Sequence, residues 1–207
     1  MKSMDEFVPK TITRRDASKL FARVFDLLGK VAAYLAKPKA LLRRTVEASP
    51  GWDDPIPAEL RTEWVEVFED FGELRNIQFQ RARIPEDAEE PLNVRLFAGA
   101  DAGADCMVSA IWIGVKRRNG TWSCCLLLGK ALLPGKTWSI PQRELHSLWM
   151  AATVLNLCMN LIGDWLEGKL SKRYLFGDSM IALSWSIYQN SRLLPFHRHR
   201  VTETESP

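Results

Sequence analysis

The spacing of apolar residues divides the chain into a helical first part and a mixed second part. In the first part, apolar side chains recur at helical intervals, which predicts three helices, from about Thr13 to Gly29, over 38–48 and over about 57–74. Residues 1–12 show no such pattern and are predicted to be disordered. Residues 81–91 (RARIPEDAEEP) are charged and contain proline, so we predict a linker between the two parts.

After residue 91 the apolar pattern changes to short runs that are typical of strands. Strands are predicted over 92–100, 106–116, 121–130 and 173–177, with a long helix from Ser139 and a shorter one over about 179–189. Asn119-Gly120 lies between the second and third strands and is a hairpin signal. The order of appearance β-β-β-α-β-α predicts an α/β fold, with helices packed on a mixed sheet.

The long helix begins in the stretch WSIPQRELHSLWMAA, residues 138–152. Ser139 and Gln142 fit a capping box, and Pro141 is tolerated in a first helical turn. Glu144 lies at the margin of the apolar face that follows. A carboxylate is not expected where a helix begins to be buried, so we looked for a function for Glu144.

Two further acidic residues suggest one. Asp101 ends the first predicted strand and Asp178 ends the fourth, so neighbouring strands would bring them together with Glu144. Converging carboxylates repel one another unless a cation neutralises them, and oxygen ligands favour Mg²⁺ or Mn²⁺. Two such ions can stabilise phosphodiester cleavage. The alternative is structural, because turns favour aspartate and the first turn of a helix favours negative charge.

The composition indicates where in the cell the protein occurs, but it says little about the reaction. The net charge is +3, and the basic residues crowd the N-terminal third and the C-terminal end. Four cysteines show no C-x-x-C pairing, which favours reduced thiols in the cytoplasm or nucleus. No apolar run approaches the ~20 residues of a membrane span, and no secretory signal is present, so neither a membrane partner nor secretion is expected.

Four stretches of the second part, taken in order, carry a resemblance to a known family. They are FAGADAGADCMVSAIWI, GKALLPGKTWSIPQREL, FGDSMIALSWS and LLPFHRHRV. The last three are similar to the K-S-R-V-A-P…T-I-P-R-x-E-L, T-D-S…L-x-W-I and F-V-x-N-R-V stretches of BEL/Pao-type retrotransposon polyproteins. Upstream, TITRRDASKLFARVFDLLG and GWDDPIPAEL resemble the segment between polymerase and nuclease of that family. The resemblance covers about residues 11–201.

The resemblance implies a ribonuclease H-like domain over 92–201 and a tail over 202–207, preceded by a helical polymerase-connection segment over 13–80. It implies Mg²⁺-dependent (or Mn²⁺-dependent) cleavage of the RNA strand of RNA–DNA hybrids during reverse transcription. Asp101, Glu144 and Asp178 fall on three metal-binding carboxylates, which gives them the catalytic role. Candidate phosphate contacts are Arg143, Arg192, Arg198 and Arg200. The implied partners are the hybrid and the rest of the polyprotein, including reverse transcriptase and integrase, in a virus-like particle of the cytoplasm or nucleus.

The chain also departs from the family pattern. The fourth carboxylate of the family lies in an N-P-A-D stretch, and this chain ends at Pro207 before reaching one, so we expect a C-terminal truncation. A catalytically dead remnant that only binds nucleic acid or has a structural role is therefore the alternative. The family also carries the label of a peptidase. Asp178-Ser179-Met180 lacks the glycine that an aspartic peptidase loop needs, so peptidase chemistry is discounted.

Overall fold

The computed structural model describes residues 11–187 and 199–200, apart from the side chain of Arg75. The helices are α1 (Arg14–Ala22), α2 (Ala36–Ala48), α3 (Ala58–Glu73), α4 (Ile140–Leu166) and α5 (Met180–Ile187), and a 3₁₀ turn (Leu74–Asn76) follows α3. The strands are β1 (Val94–Ala102), β2 (Met107–Lys116), β3 (Trp122–Leu132) and β4 (Leu170–Gly177). Each predicted helix and strand is present, with shifts of a few residues at most ends and a larger one at the end of α1.

The first part of the chain forms three helices around their own apolar cluster. Thr13 begins α1 with a capping box, in which its backbone N–H donates to the Asp16 carboxylate at 3.1 Å. The cluster is centred on Trp64 and includes Ile12, Ala17, Leu41, Ile56, Leu60 and Val67. The first helix ends at Ala22, earlier than predicted, because the apolar residues that extended the pattern are in solvent. Leu27 is 80% exposed and Leu28 is 45% exposed.

The second part forms a four-stranded mixed sheet in the order β3-β2-β1-β4. β2 runs antiparallel to both β1 and β3, whereas β4 lies parallel to β1. The hairpin between β2 and β3 closes with the backbone N–H of Arg117 donating to Thr121 at 2.8 Å. Gly120 adopts a φ of 85° there, which glycine accepts without the Cβ penalty of other residues. The predicted mixed α/β sheet is confirmed.

Helix α4 covers one face of this sheet. Alternate residues of β1 and β2 point toward it, because successive side chains of a strand point to opposite faces. The buried residues between α4 and the strands include Leu96, Ala98, Ile111, Ile113, Ala151 and Leu155. By length and composition α4 could cross a membrane, but 50% of its most apolar window is buried inside the protein. That burial is the ordinary condition of a core helix.

The helical part covers the outer edge of β3. The backbone N–H of Gly129 donates to the Leu28 carbonyl at 2.9 Å, and the Lys39 ammonium donates to the Ala131 carbonyl at 2.7 Å. The segment around Gly29 approaches β3 so closely that a Cβ on Gly129 would lie 2.2 Å from the Gly29 carbonyl oxygen. An uncovered strand edge offers unpaired backbone groups to other chains, and here those groups have partners within the protein.

The predicted linker is fixed in part to the β2–β3 hairpin. The backbone N–H of Glu89 donates to Lys116 at 2.9 Å, and that of Arg118 donates to Asp87 at 3.0 Å. Ala88 between them is buried. The division of the chain into a helical segment, a linker and a ribonuclease H-like domain remains a prediction.

Candidate functional site

The start of α4 positions the first of the predicted site residues. The predicted capping interaction is present, with the backbone N–H of Ser139 donating to the Gln142 side-chain oxygen at 2.8 Å. This fixes the rotation of the first turns and brings Glu144 to the edge of the sheet, half-buried. The next residue, Leu145, is fully buried. Glu144 therefore lies where the core meets solvent.

Asp178 reaches the same place from the end of β4. It follows Gly177, the last residue of the strand, and is exposed. Asp178 and Glu144 line one small cavity of about 10 Å³, close to the size that holds a single water molecule. The Ser179 hydroxyl donates a short hydrogen bond to the Glu144 carboxylate and accepts one from the backbone N–H of Ala182 at 3.2 Å. The turn between β4 and α5 thus holds Glu144 in place.

Asp101 does not line this cavity, and within the described part of the chain no three acidic side chains are placed to share a metal ion. The catalytic and metal-binding roles of Asp101, Glu144 and Asp178 stay a prediction. Ala100 packs on the α4 side of the sheet and lines the cavity with Glu144 and Asp178. The next residue of β1 points to the opposite face, where Asp101 and its pairing partner Val108 line a separate groove. The sequence located the end of the strand to within two residues, since β1 extends to Ala102. It did not show which alternate residues of the strand face α4.

On its own face, Asp101 lies in a groove of about 550 Å³ between α2 and the β1–β2 turn. The same groove is lined by Lys37, Arg43 and Arg44 of α2, and by Asp105. All three of these cations already have partners, and Lys37 pairs with Glu66 at 3.5 Å. Arg44 binds Glu63 through two contacts of 2.7 Å, and Arg43 donates to the Pro134 carbonyl at 2.8 Å. The groove around Asp101 therefore mixes charges, because Glu63 and Asp105 line it together with the three cations.

The donor set decides how well a metal ion would fit. Glu144 and Asp178 offer carboxylate oxygens, which are the ligands that Mg²⁺ and Mn²⁺ prefer. Among residues 11–187 and 199–200, no group of three or more Asp, Glu, His or Cys side chains is placed to hold a metal ion. The pair fits one ion completed by water molecules, since Mg²⁺ usually keeps several waters. The arrangement does not fit a two-ion site.

The predicted phosphate contacts fall into three situations. Arg143 is used within the fold, because its guanidinium donates to the Trp138 carbonyl at 3.0 Å and the Ala104 carbonyl at 2.7 Å. Arg200 contacts the first turns of α4. Arg192 and Arg198 lie outside the described residues. The assignment of these residues to nucleic-acid binding remains a prediction.

Sequence reasoning missed the aromatic site that holds Arg200. The site is built around His146. The ring centroids of Trp138 and Trp149 lie 4.9 and 4.8 Å from the centroid of its imidazole. The Arg200 guanidinium lies 5.6 Å from each indole and donates to His146 Nδ1 at 2.8 Å. The contact joins residues 54 positions apart, so no local sequence pattern could indicate it. Burial lowers the pKa of His146 to about 4, with smaller contributions from Arg200 and Lys130.

We expect this histidine to make the folded state acid-sensitive. The unfolded chain takes up a proton near the ordinary pKa of 6.5, whereas the folded chain does so near 4. The unfolded state therefore binds more protons in this window, and stability falls as the pH is lowered through it, by at most about 3 kcal/mol. Urea unfolding with a chelator present, across this pH range, measures the loss. His146→Gln should flatten the dependence, and an unchanged slope in that variant would contradict the assignment.

Comparisons with known proteins agree with this architecture. The mixed sheet and its covering helix place the chain in the ribonuclease H-like α/β class. The family described as "Pao retrotransposon-like RNaseH-like domain" matches residues 13–179, and the chain belongs to that family. Among solved structures, ribonuclease H1 from the halophilic archaeon Halobacterium salinarum NRC-1 matches at 13% identity and a TM-score of 0.29. The match covers 54% of this chain and 74% of that one. None of the curated proteins compared with the chain matches it.

Proposed function

We propose that this domain binds RNA–DNA hybrids during reverse transcription of a Pao-type retroelement and that Glu144 and Asp178 hold one Mg²⁺ or Mn²⁺ ion. The observation that carries the proposal is the shared cavity of these two carboxylates at the C-terminal end of β4. β4 is the edge strand beside β1 and runs parallel to it, so the cavity opens at the C-terminal ends of two neighbouring strands. Loops and helix starts at strand ends are where α/β proteins place ligands.

Each residue of the pair has a definite part. Asp178 is exposed and can approach a phosphate-bound ion from the solvent side. Glu144 is half-buried and receives the hydrogen bond from Ser179, which limits its rotation. When bound, a divalent ion supplies a positive charge that stabilises negative charge on a phosphodiester oxygen. The residues orient that ion. The hybrid would be recognised by its backbone shape and its 2′-hydroxyl groups.

The position of Asp101 limits the chemistry expected of this chain. For Asp101 to act as a third ligand, the end of β1 would have to turn over, because its side chain lies on the face opposite Glu144. With two carboxylates for one ion, the chain lacks the second ion that assists the leaving or attacking oxygen. Removing one such contribution costs orders of magnitude in rate, since every 1.4 kcal/mol is about tenfold. We therefore propose that hybrid binding exceeds cleavage, with the RNA strand cut slowly or not at all.

The same observation favours a second candidate, a binding module without catalysis. In that case the domain would act within the larger polyprotein, beside reverse transcriptase and integrase, in a virus-like particle of the cytoplasm or nucleus. Both candidates require the hybrid as ligand. They differ in whether Mn²⁺ or Mg²⁺ produces any RNA cleavage.

A binding and cleavage assay on the 207-residue chain tests the proposal. We expect tighter binding to an RNA–DNA hybrid than to a DNA duplex of the same sequence. Any cleavage should be confined to the RNA strand, should need Mn²⁺ or Mg²⁺ and should be lost in Asp178→Asn. Equal affinity for the hybrid and the DNA duplex would contradict the proposed function. Absence of cleavage with retained hybrid binding would select the binding module.

A further inference from the structure

The face of the sheet that points away from α4 carries an unusual set of aromatic side chains. Among the described residues, α4 is the helix that packs across the strands, and it lies on the other side. The far face carries one or two rings from every strand. We call this surface the aromatic sheet face; its rings belong to Phe97, Trp112, Trp122, Tyr174 and Phe176.

These rings form ordered pairs across the strands. Phe97 and Tyr174 lie 5.1 Å apart between ring centroids with an interplanar angle of 7°, and Trp112 and Phe176 lie 6.1 Å apart at 18°. The fifth ring, Trp122, lies under the guanidinium of Arg95 at 4.0 Å. Each ring keeps part of its surface in solvent, and Phe176 is 48% exposed. The rings are thus prearranged and accessible.

Two glycines make room for this layer. A Cβ on Gly99 would lie 2.7 Å from the Phe176 ring and 3.0 Å from the Trp112 ring. A Cβ on Gly114 would lie 2.9 Å from the Phe97 ring and 3.4 Å from the Trp122 ring. The rings therefore lie over the strand backbone at these positions. This keeps the layer close to the sheet.

The charges on the same face indicate what could lie on it. Arg95 and Lys172 are paired across β1 and β4 at the start of both strands, so two cations lie beside the rings. Lys172 is exposed and forms no ion pair within the described part of the chain. Asp101 is the acidic residue that β1 contributes to this face, and it lies at the other end of the strand from Arg95. An apolar protein helix would have no use for two cations at one end, whereas a strand of nucleotides offers both bases and phosphates.

We propose that the aromatic sheet face binds single-stranded nucleic acid. Unpaired bases would stack on the rings of Phe97, Tyr174 and Phe176, and the backbone phosphates would contact Arg95 and Lys172. Such stacking accepts any base, because every base has a π-face, and a row of cations follows the backbone. The site lies on the opposite side of the sheet from Glu144 and Asp178, so it goes beyond the proposed function. A template or product strand could bind there while a hybrid occupies the other site.

Fluorescence anisotropy with a labelled oligothymidylate of about 15 nucleotides tests the inference on the full chain. Phe176→Ala should weaken binding by about tenfold or more, the loss of one stacked base. Lys172→Gln should reduce the slope of log affinity against log salt by about 0.7, the loss of one phosphate contact. An oligoribonucleotide should respond to both changes in the same way.

Two matched controls separate this from general effects. Arg173 follows Lys172, is also exposed and points to the other face, so Arg173→Gln should leave binding unchanged. Leu161 of α4 is an exposed apolar residue on the opposite side, so Leu161→Ala should also have no effect. Thermal melting identifies any variant that fails to fold. If Phe176→Ala does not fold, Lys172→Gln still tests the inference.

The inference is overturned if the chain does not bind the single strand, or if Arg173→Gln weakens binding as much as Lys172→Gln. It is also overturned if sedimentation shows a dimer that Phe176→Ala dissociates without any change in nucleotide binding. In that case the face is an interface between two copies.

Discussion

Trp64→Ala is expected to lower the free energy of unfolding by about 3–5 kcal/mol, the usual cost of removing a large buried aromatic side chain. Trp64 is 0% exposed at the centre of the helical cluster and lies 5.4 Å from the Phe68 ring. Its indole N–H also donates to the Thr45 hydroxyl at 2.8 Å. The alanine variant would leave a cavity and remove a partner from a buried hydroxyl. Urea unfolding followed by circular dichroism measures the loss.

Trp52 provides the matched control for that experiment. It is 53% exposed, and the Arg14 guanidinium lies 4.7 Å from its ring centroid. An exposed cation–π contact contributes about 0.5–1 kcal/mol, so Trp52→Ala should have a small effect. If Trp64→Ala costs as little as Trp52→Ala, the helices do not pack around Trp64 and the account of the N-terminal part is wrong.

The elements of the fold were predictable because their signals are local. Thr13 and Ser139 begin helices through contacts with residues three positions later, and Gly120 permits a turn that the adjacent strands require. Such contacts depend on a few neighbouring residues. The mixed character of the sheet followed from general rules about hairpins and crossovers, whereas the adjacency of the first and fourth strands was a condition of the site hypothesis. Sequence was therefore sufficient for the mixed sheet.

The orientation of β1 was not predictable for a physical reason. A strand that is buried on one face alternates apolar and polar residues, and the alternation reveals which side chains point inward. β1 instead reads VRLFAGADA, with Leu96 and Ala98 on one face and Phe97 and Gly99 on the other. Both faces are apolar, so the sequence pattern did not indicate which face of the sheet carries the Asp101 side chain. The alternation is missing because the face away from α4 carries the rings of the aromatic sheet face instead of polar side chains.

The partner of His146 was hidden for a different reason. Arg200 reaches it from the end of the chain, and no local spacing relates the two residues. The sequence suggested only that a cluster of basic residues near the C-terminus could contact phosphate. In the structure, one of them contacts the aromatic start of α4, where Arg143 also makes hydrogen bonds within the fold. Basic composition alone could not distinguish these uses.

The largest effect on metal binding is expected from the Glu144–Asp178 pair. Asp178→Asn removes one of two charged ligands, and even outer-shell partners of bound metals contribute about 10- to 100-fold in affinity. We therefore expect Asp178→Asn to weaken Mn²⁺ binding by about a hundredfold or more, and Glu144→Gln to have a similar effect. Asp101→Asn should change the affinity by no more than about twofold, since Asp101 lies on the other face and screening by water and salt weakens its field.

Calorimetric titration of Mn²⁺ into the wild-type chain, Asp178→Asn and Asp101→Asn tests whether Glu144 and Asp178 together hold the cation. The three chains carry single changes that remove one carboxylate charge at most, so they are matched in size and composition. We expect one weak site in the wild type, no detectable site in Asp178→Asn and an intact site in Asp101→Asn. Loss of Mn²⁺ binding in Asp101→Asn, or its retention in Asp178→Asn, would contradict the placement of the cation between Glu144 and Asp178.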